Sequence, residues 1–201
     1  MSAAAPERPN GRRAPGRPRS PAVHQALIDA TVELLADVGY RGLTVEAVSQ
    51  RAGASKATVY RRWPSKVNLV VDALSANAAR QVGEPDTGSV REDLLILLRG
   101  LARFLTEPLA TAFPSLLAEA YRHPELGETF RNEFVSKRRA VIRRVVERGV
   151  QRGEVRTDAD LDVVVDNGAA HLFYRFLISG EPMDPELPER IVDHMLRGVH
   201  A

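Results

Sequence analysis

Ser55, Lys56, Ala57, Thr58 and Tyr60 stand in one short run, followed at once by Arg61, Arg62 and Lys66. Together they supply hydroxyls, methyls, a phenol and several cations. Hydroxyls, small methyls and a flexible ammonium suit the edges of base pairs in a major groove, whereas cations and phenols suit phosphate oxygens. On this chemistry Ser55, Lys56, Ala57 and Thr58 are candidates for reading bases, with Lys56 directed to guanine and Ala57 and the Thr58 methyl to thymine methyls. Thr44, Tyr60, Arg62 and Lys66 are candidates for holding the backbone.

Other chemistry has less support. Asp158, Asp160 and Asp162 copy the opening of a calcium loop, but Val163 stands where the sharp turn needs Gly and Ala169 where a bidentate Glu is required. They read instead as acids at a helix N-terminus, which the helix dipole favours. Glu119 and His123 are four apart, yet Pro124 follows and no third ligand is in view, so His123 reads as a helix cap. The chain has no Cys, which excludes disulfides and thiolate metal sites. It contains no phosphate-binding Gly loop, HExxH or GxSxG. Nothing in the sequence supports an enzyme, and no cofactor is expected.

The elements that must position the candidate residues follow from local signals. Thr44 is an N-cap, and Val45, Val48 and Ala52 then recur at helical spacing. Gly53 supplies a left-handed turn, and Ser55 caps a second short helix whose clear core-facing residue is Val59. Trp63 and Pro64 form a rigid corner, after which Ser65 and Lys66 open a third helix. Ahead of this, Ser20 caps a helix with Pro21 at its first position, a stripe of Val23, Leu27, Ala30, Leu34 and Val38, and Gly39 as terminator. Tyr40 and Leu43 would close the core. The pattern is helix, turn, helix, with a covering helix on top.

AGASKATVYRRWPSK, preceded by TVEAVSQR, resembles the DNA-binding domain of the tetracycline-repressor-like (TetR) family of bacterial transcriptional regulators. The family pattern falls on Thr44, Ser55, Lys56, Thr58, Tyr60 and Lys66. Ala57 departs from the Gly common at that position, Trp63 from the usual Phe, and Asn68 from the acidic residue often found three after the capping Ser. The resemblance is strong over Ser20 to Leu69 and diffuse beyond.

Charge is distributed as that resemblance requires. Residues 1 to 66 hold 11 Lys and Arg against 5 Asp and Glu, whereas residues 67 to 201 hold 17 against 21. Residues 1 to 19 are rich in Pro, Gly and Arg with almost nothing to bury, and are expected to form a disordered basic arm. Either that arm is only a solvated tail, or Arg12, Arg13, Arg17 and Arg19 reach phosphates or the minor groove. No apolar run approaches the roughly 20 residues that span a bilayer, and no secretory h-region opens the chain, so a cytoplasmic protein without membrane contact is expected.

The expected architecture is all-α, with a helix-turn-helix DNA-binding domain over 20–66 and a helical ligand-binding and dimerisation domain over 67–201. The helix from Ser65 to about Gln81 links the two, and 82–88 is a turn-rich loop. Ser89 and Glu92 have capping spacing before a helix so apolar over Leu94 to Leu98 that it belongs at the centre of its domain. A short helix around Ser115 to Arg122, a long one from Pro124 to Arg152, one from Asp160 to about Ser179 and one within Asp184 to His200 complete the chain. LDVVVDNGAAHLFYRFLI is apolar nearly all round, and Gly168, Ala169 and Ala170 leave a flat patch. Two readings stand: packing within one chain, or pairing of the last two helices with their copies in a homodimer.

The resemblance implies the homodimer and a double-stranded, palindromic DNA operator. It also implies a small-molecule ligand in a pocket among the C-terminal helices, whose binding swings the linking helix. Phe104, Phe113, Tyr121, His123, Asn167, His171, Tyr174 and Arg175 are the candidates for lining that pocket, with His171 and Arg175 as its polar groups. The competing readings are a dimeric DNA-binding protein without a ligand and a helical-bundle enzyme with an incidental helix-turn-helix.

Overall fold

A computed structural model of the chain describes residues 21–199. The capping role of Ser20 and the arm of 1–19, with Arg12, Arg13, Arg17 and Arg19, lie outside the described residues. Among the described residues ten α-helices run in order: α1 Pro21–Gly42, α2 Val45–Arg51, α3 Lys56–Tyr60, α4 Lys66–Gln81, α5 Val90–Leu105, α6 Phe113–Arg122, α7 Pro124–Phe130, α8 Ser136–Gln151, α9 Leu161–Tyr174 and α10 Leu187–Val199. A 3-10 turn over Pro108–Ala112 leads into α6. π turns over Arg131–Val135 and Arg175–Ser179 join α7 to α8 and extend α9. Among the described residues there is no strand.

The starts of these helices are set by side chains that take up backbone N–H groups left without an intrahelical partner. The Ala47 amide donates to the Thr44 hydroxyl at 3.1 Å, and the Thr58 amide to the Ser55 hydroxyl at 3.2 Å. Ser65 Oγ accepts from the Asn68 amide at 3.3 Å and donates to Asn68 Oδ1 at 2.7 Å. Asn68 thereby closes onto the cap that an acidic residue would otherwise have completed. Asp160 Oδ1 accepts from the Asp162 and Val163 amides and opens α9.

Gly39 breaks α1 with φ 65, and the last three residues of that element form a turn beyond it. The inward stripe of α1 is Leu27, Ile28, Ala30, Thr31, Leu34 and Leu35. Val38, expected to extend it, is 50% exposed in the last turn before the break at Gly39.

Two apolar clusters hold the molecule together. In the first, Leu27, Leu35, Val48, Val59 and Leu69 pack with Phe113, Leu116 and Phe130, so the core under the helix-turn-helix continues into α6 and α7. In the second, Leu94 and Leu98 of α5 meet Val145 and Val146 of α8, Leu172 of α9 and Val192 and Leu196 of α10. Phe104, Phe173 and Phe176 pack against both clusters. Phe113 has the rings of Phe104, Phe130, Phe134 and Phe173 at 5.3 to 6.2 Å, within the range in which tilted and edge-on aromatic pairs attract.

The last two helices are used differently from one another. Ile191, Val192, Met195 and Leu196 of α10, too apolar to face water, are buried within this chain. Gly168 of α9 is likewise an intrachain contact, since a Cβ there would sit 3.0 Å from both terminal carbons of Leu98 and 3.2 Å from the Met195 sulfur. Gly168 of the flat patch therefore receives α5 and α10, whereas Ala169 and Ala170 face a cavity. What α9 and the π turn after it leave outside is Val163, Tyr174 and Ile178, which are 60%, 60% and 72% exposed.

Candidate nucleic-acid interface and the cavity behind it

The turn between α2 and α3 is built on Gly53, with φ 61, and on the Ala54 amide donating to the Ser49 carbonyl at 2.9 Å. It leaves α3 with a single buried side chain, Val59. Ser55, Lys56, Ala57 and Tyr60 are exposed and Thr58 is partly so. The whole run is thus offered outward on a helix held from behind. Trp63 is the plug of the corner that follows: it is 5% exposed, its ring stacks on His24 of α1 at 5.2 Å, and its Nε1–H donates to Asp72 of α4 at 2.9 Å. One indole thereby fixes α1, α3 and α4 relative to each other.

The candidate residues do not all stand free. The Lys56 ammonium donates to the Glu46 carboxylate across the turn, and that hydrogen bond holds the Glu46 carboxyl below its ordinary range. Thr58 Oγ1 lies 3.0 Å from Ser55 Oγ, so each hydroxyl already has one partner. Lys66 Nζ sits 4.3 Å from the centre of the Tyr40 ring, a cation–π contact. Partial burial pushes the Lys66 ammonium down in pKa, against the opposing influence of Glu119. Thr44 is exposed and Arg62 partly buried. Neither the Lys56–Glu46 pair nor the Lys66–Tyr40 contact carries a local spacing signal, because both cross between elements.

Behind this head a cavity of about 430 Å³ is lined by α4 to α9 and the two π turns. Its wall is mostly apolar: Leu74 and Ala78 of α4, Leu101 and Phe104 of α5, Phe113, Phe130, Phe134, Ile142 and Phe173 are among its residues. Of the eight residues proposed to line a pocket, Phe104 and Phe113 are on the wall and the other six are not. The helical period explains two of the six, His171 and Tyr174. α9 places Val165, Asp166, Ala169, Ala170 and Phe173 along the cavity, with Asp166 and Ala170 at its exposed rim, which directs His171 and Tyr174 to solvent. Asn167 is partly buried, and its carbonyl is paired with His171 Nδ1 at 2.8 Å. Arg175 donates to the Pro182 carbonyl at 2.8 Å. Tyr121 is 92% exposed at the end of α6. His123 occupies the N-cap position of α7 without a side-chain cap, and its Nε2 lies 3.3 Å from Glu119. Sequence reasoning missed Arg138 and Arg139, the two cations on the wall. They follow Lys137 in one basic run, and only packing separates them.

Among the described residues no group of three or more His, Cys, Asp or Glu is placed to hold a metal, and no helix is long and apolar enough to cross a membrane. Asp162 is paired with Arg139 and Arg143, and Asp158 with Arg156, so the acidic run is engaged in ion pairs.

An exposed, lightly greased helix on a helix-turn-helix, joined to a helical body with an apolar cavity, is the arrangement of a helix-turn-helix DNA-binding protein. Comparison with known proteins agrees. Residues 27–73 match the family described as bacterial regulatory proteins, tetR family, and residues 84–195 match the tetracyclin repressor-like C-terminal domain. The HTH-type transcriptional regulator YdeS of Bacillus subtilis is 33% identical over 92% of this chain and 94% of its own length. The DNA-binding transcriptional repressor TetR of Mycobacteroides abscessus is 31% identical over 85% of this chain and 90% of its own. The crystal structure of the TetR family transcription regulator SCO0332 superposes with a TM-score of 0.77 at 32% identity, covering 89% of this chain and 99% of that one. The chain belongs to the TetR family of bacterial transcriptional regulators, and it is a regulator and not an enzyme.

Proposed function

We propose that the protein is a homodimeric repressor that binds a palindromic operator and is released when a small molecule fills the cavity. The observation that carries this reading is the course of α4. Its first turn holds Ser65, Lys66 and Asn68 in the DNA-binding head, and Leu74, Ala78 and Gln81 further along the same helix line the cavity. A ligand that prefers a different position of Leu74 and Ala78 must move or restrain the head, by no more than its differential affinity for the two arrangements. Ser55, Lys56, Ala57 and Thr58 read the major groove, while Thr44, Tyr60, Arg62 and Lys66 hold phosphates. Two such heads need half-sites about 34 to 36 Å apart, or a multiple of that. The dimer forms through the last two helices, with the exposed Val163 and Tyr174 of α9 and Ile178 of the π turn after it at its centre. Acting on DNA, the protein works in the cytoplasm.

Fluorescence anisotropy on DNA from the gene's own upstream region and on a scrambled duplex, at two salt concentrations, tests the reading. Saturable, salt-sensitive binding that prefers the native duplex at two chains per site is expected. Equal, weak binding to both duplexes, together with a failure to enrich discrete genomic fragments, would overturn it.

A further inference from the structure

The polar groups on the cavity wall are few, and all but one are occupied. Gln81 donates its amide to Glu107 at 2.8 Å. Asp166 is held by Arg139 through two hydrogen bonds of 2.7 and 3.1 Å, and Arg139 also reaches Asp162 at 3.2 Å. Arg138 is the exception: it is partly buried on the wall, and among the described residues it has neither a hydrogen bond nor a carboxylate within 4.0 Å. Burial alone, with no anion to offset it, lowers its pKa from the ordinary arginine value. Arg138 follows the π turn of Arg131–Val135, which places Phe130, Phe134 and Val135 on the same wall. A guanidinium partly withdrawn from water on a mostly apolar wall, with no counter-ion, gains from a ligand that supplies the negative charge.

We propose that the cavity's ligand is an amphipathic monoanion, an apolar body carrying one oxyanion head, whose head group pairs with the free guanidinium of Arg138 while its body lies among Phe104, Phe113, Phe134 and Phe173. This rests on the cavity being the effector site. Charge sets the class: with Asp166 neutralised by Arg139, the wall carries one uncompensated positive charge. Geometry sets the head, because a guanidinium fork pairs best with two coplanar or near-coplanar oxygens, as in a carboxylate or a sulfate ester. A neutral apolar ligand would leave the charge unpaired, and a cation would oppose it.

The test uses the full chain and four probes with one body and different heads: decanoate, decyl sulfate, decan-1-ol and decylammonium. Binding is read by isothermal titration and by the shift in thermal midpoint. For the wild-type protein at least one anion is expected to bind about tenfold or more tightly than the alcohol, with decylammonium weakest, and the decanoate and decyl sulfate arms distinguish the two heads. Arg138→Met should remove that preference while keeping affinity for the alcohol, and Arg138→Lys should retain part of it. Without ligand, Arg138→Met should melt at or above the wild-type midpoint, because an unpaired charge has been removed. Alcohol binding equal to the anions, unchanged by Arg138→Met, would overturn the assignment of ligand class and leave the cavity reading intact. No binding by any probe would overturn both.

Discussion

Arg41 Nε lies 2.8 Å from Glu119 Oε1, an ion pair that ties the turn at the end of α1 to the last part of α6. Arg122 and His123 reach the same carboxylate at 3.2 and 3.3 Å. Burial works to raise the Glu119 carboxyl, but Arg41, Arg122 and His123 together hold it below its ordinary range. Phe113 and Leu117, earlier on α6, line the cavity. α6 therefore provides a second path from cavity to head, beside α4.

Replacing Glu119 with Gln removes the charge that gathers these cations. The expected outcome is a lower thermal midpoint and a smaller effect of a cavity ligand on operator affinity, measured as the ratio of operator Kd with and without ligand. A ratio identical to that of the wild type would assign the coupling to α4 alone.

Glu46 holds Lys56 in an ion pair, so in the proposed complex it competes with DNA for that ammonium. Glu46→Gln should strengthen binding to the operator by a few-fold at low salt and widen the preference for operator over scrambled DNA, as a base-reading cation is released from its intramolecular partner. Lys56→Ala in the same background should reverse both changes. Anisotropy titrations on both duplexes at low salt read this directly.

Gly100 marks the closest approach in the cavity wall. A Cβ there would sit 2.0 Å from Val82 Cγ2, and Val82 is the extended residue that ends α4. Gly100→Ala should cost about 1 to 3 kcal/mol, the range for overpacking, and displace the end of α4. Denaturant unfolding should show a lower midpoint at unchanged slope, and Val82→Ala in the same chain should recover part of the loss.

Glu84 fastens the loop before α5 to α8. Its oxygens accept from Arg144 at 2.7 and 3.0 Å and from Arg148 at 2.9 Å, and these bonds pull its pKa from 4.5 to about 2. Because the folded value lies below the unfolded one, the contribution is complete above the ordinary glutamate range and disappears as pH falls from 4.5 to about 2. The Glu84→Gln protein should therefore melt below the wild type at neutral pH, with the gap closing across that acid window. The pair is exposed, so high salt should narrow the gap as well.

The head was legible because its signals are local. Thr44, Ser55 and Ser65 each cap within three residues, and Gly53 stands where φ is positive. Gly153 and Gly180 likewise end the runs they follow, with φ 75 and 67. The body was harder to read, since α9 is apolar on every side and its sequence does not say which face turns inward. The two π turns also left no mark in residue type: the run from Pro124 to Arg152 reads as one uninterrupted helix, and the shift at Arg131–Val135 arises from packing. Arg138 and its neighbour Arg139 are alike in sequence. They differ only because Asp162 and Asp166 stand opposite one of them.

The chain contains one Trp, and it is the residue locked between His24 and Asp72. Intrinsic emission excited at the red edge of the protein spectrum therefore comes from the head alone. Trp63 is absent from the cavity wall. A change in its emission when the cavity is filled would have to travel through the protein to reach it, so the molecule carries its own unlabelled reporter of whether an event in the body arrives at the DNA-reading surface.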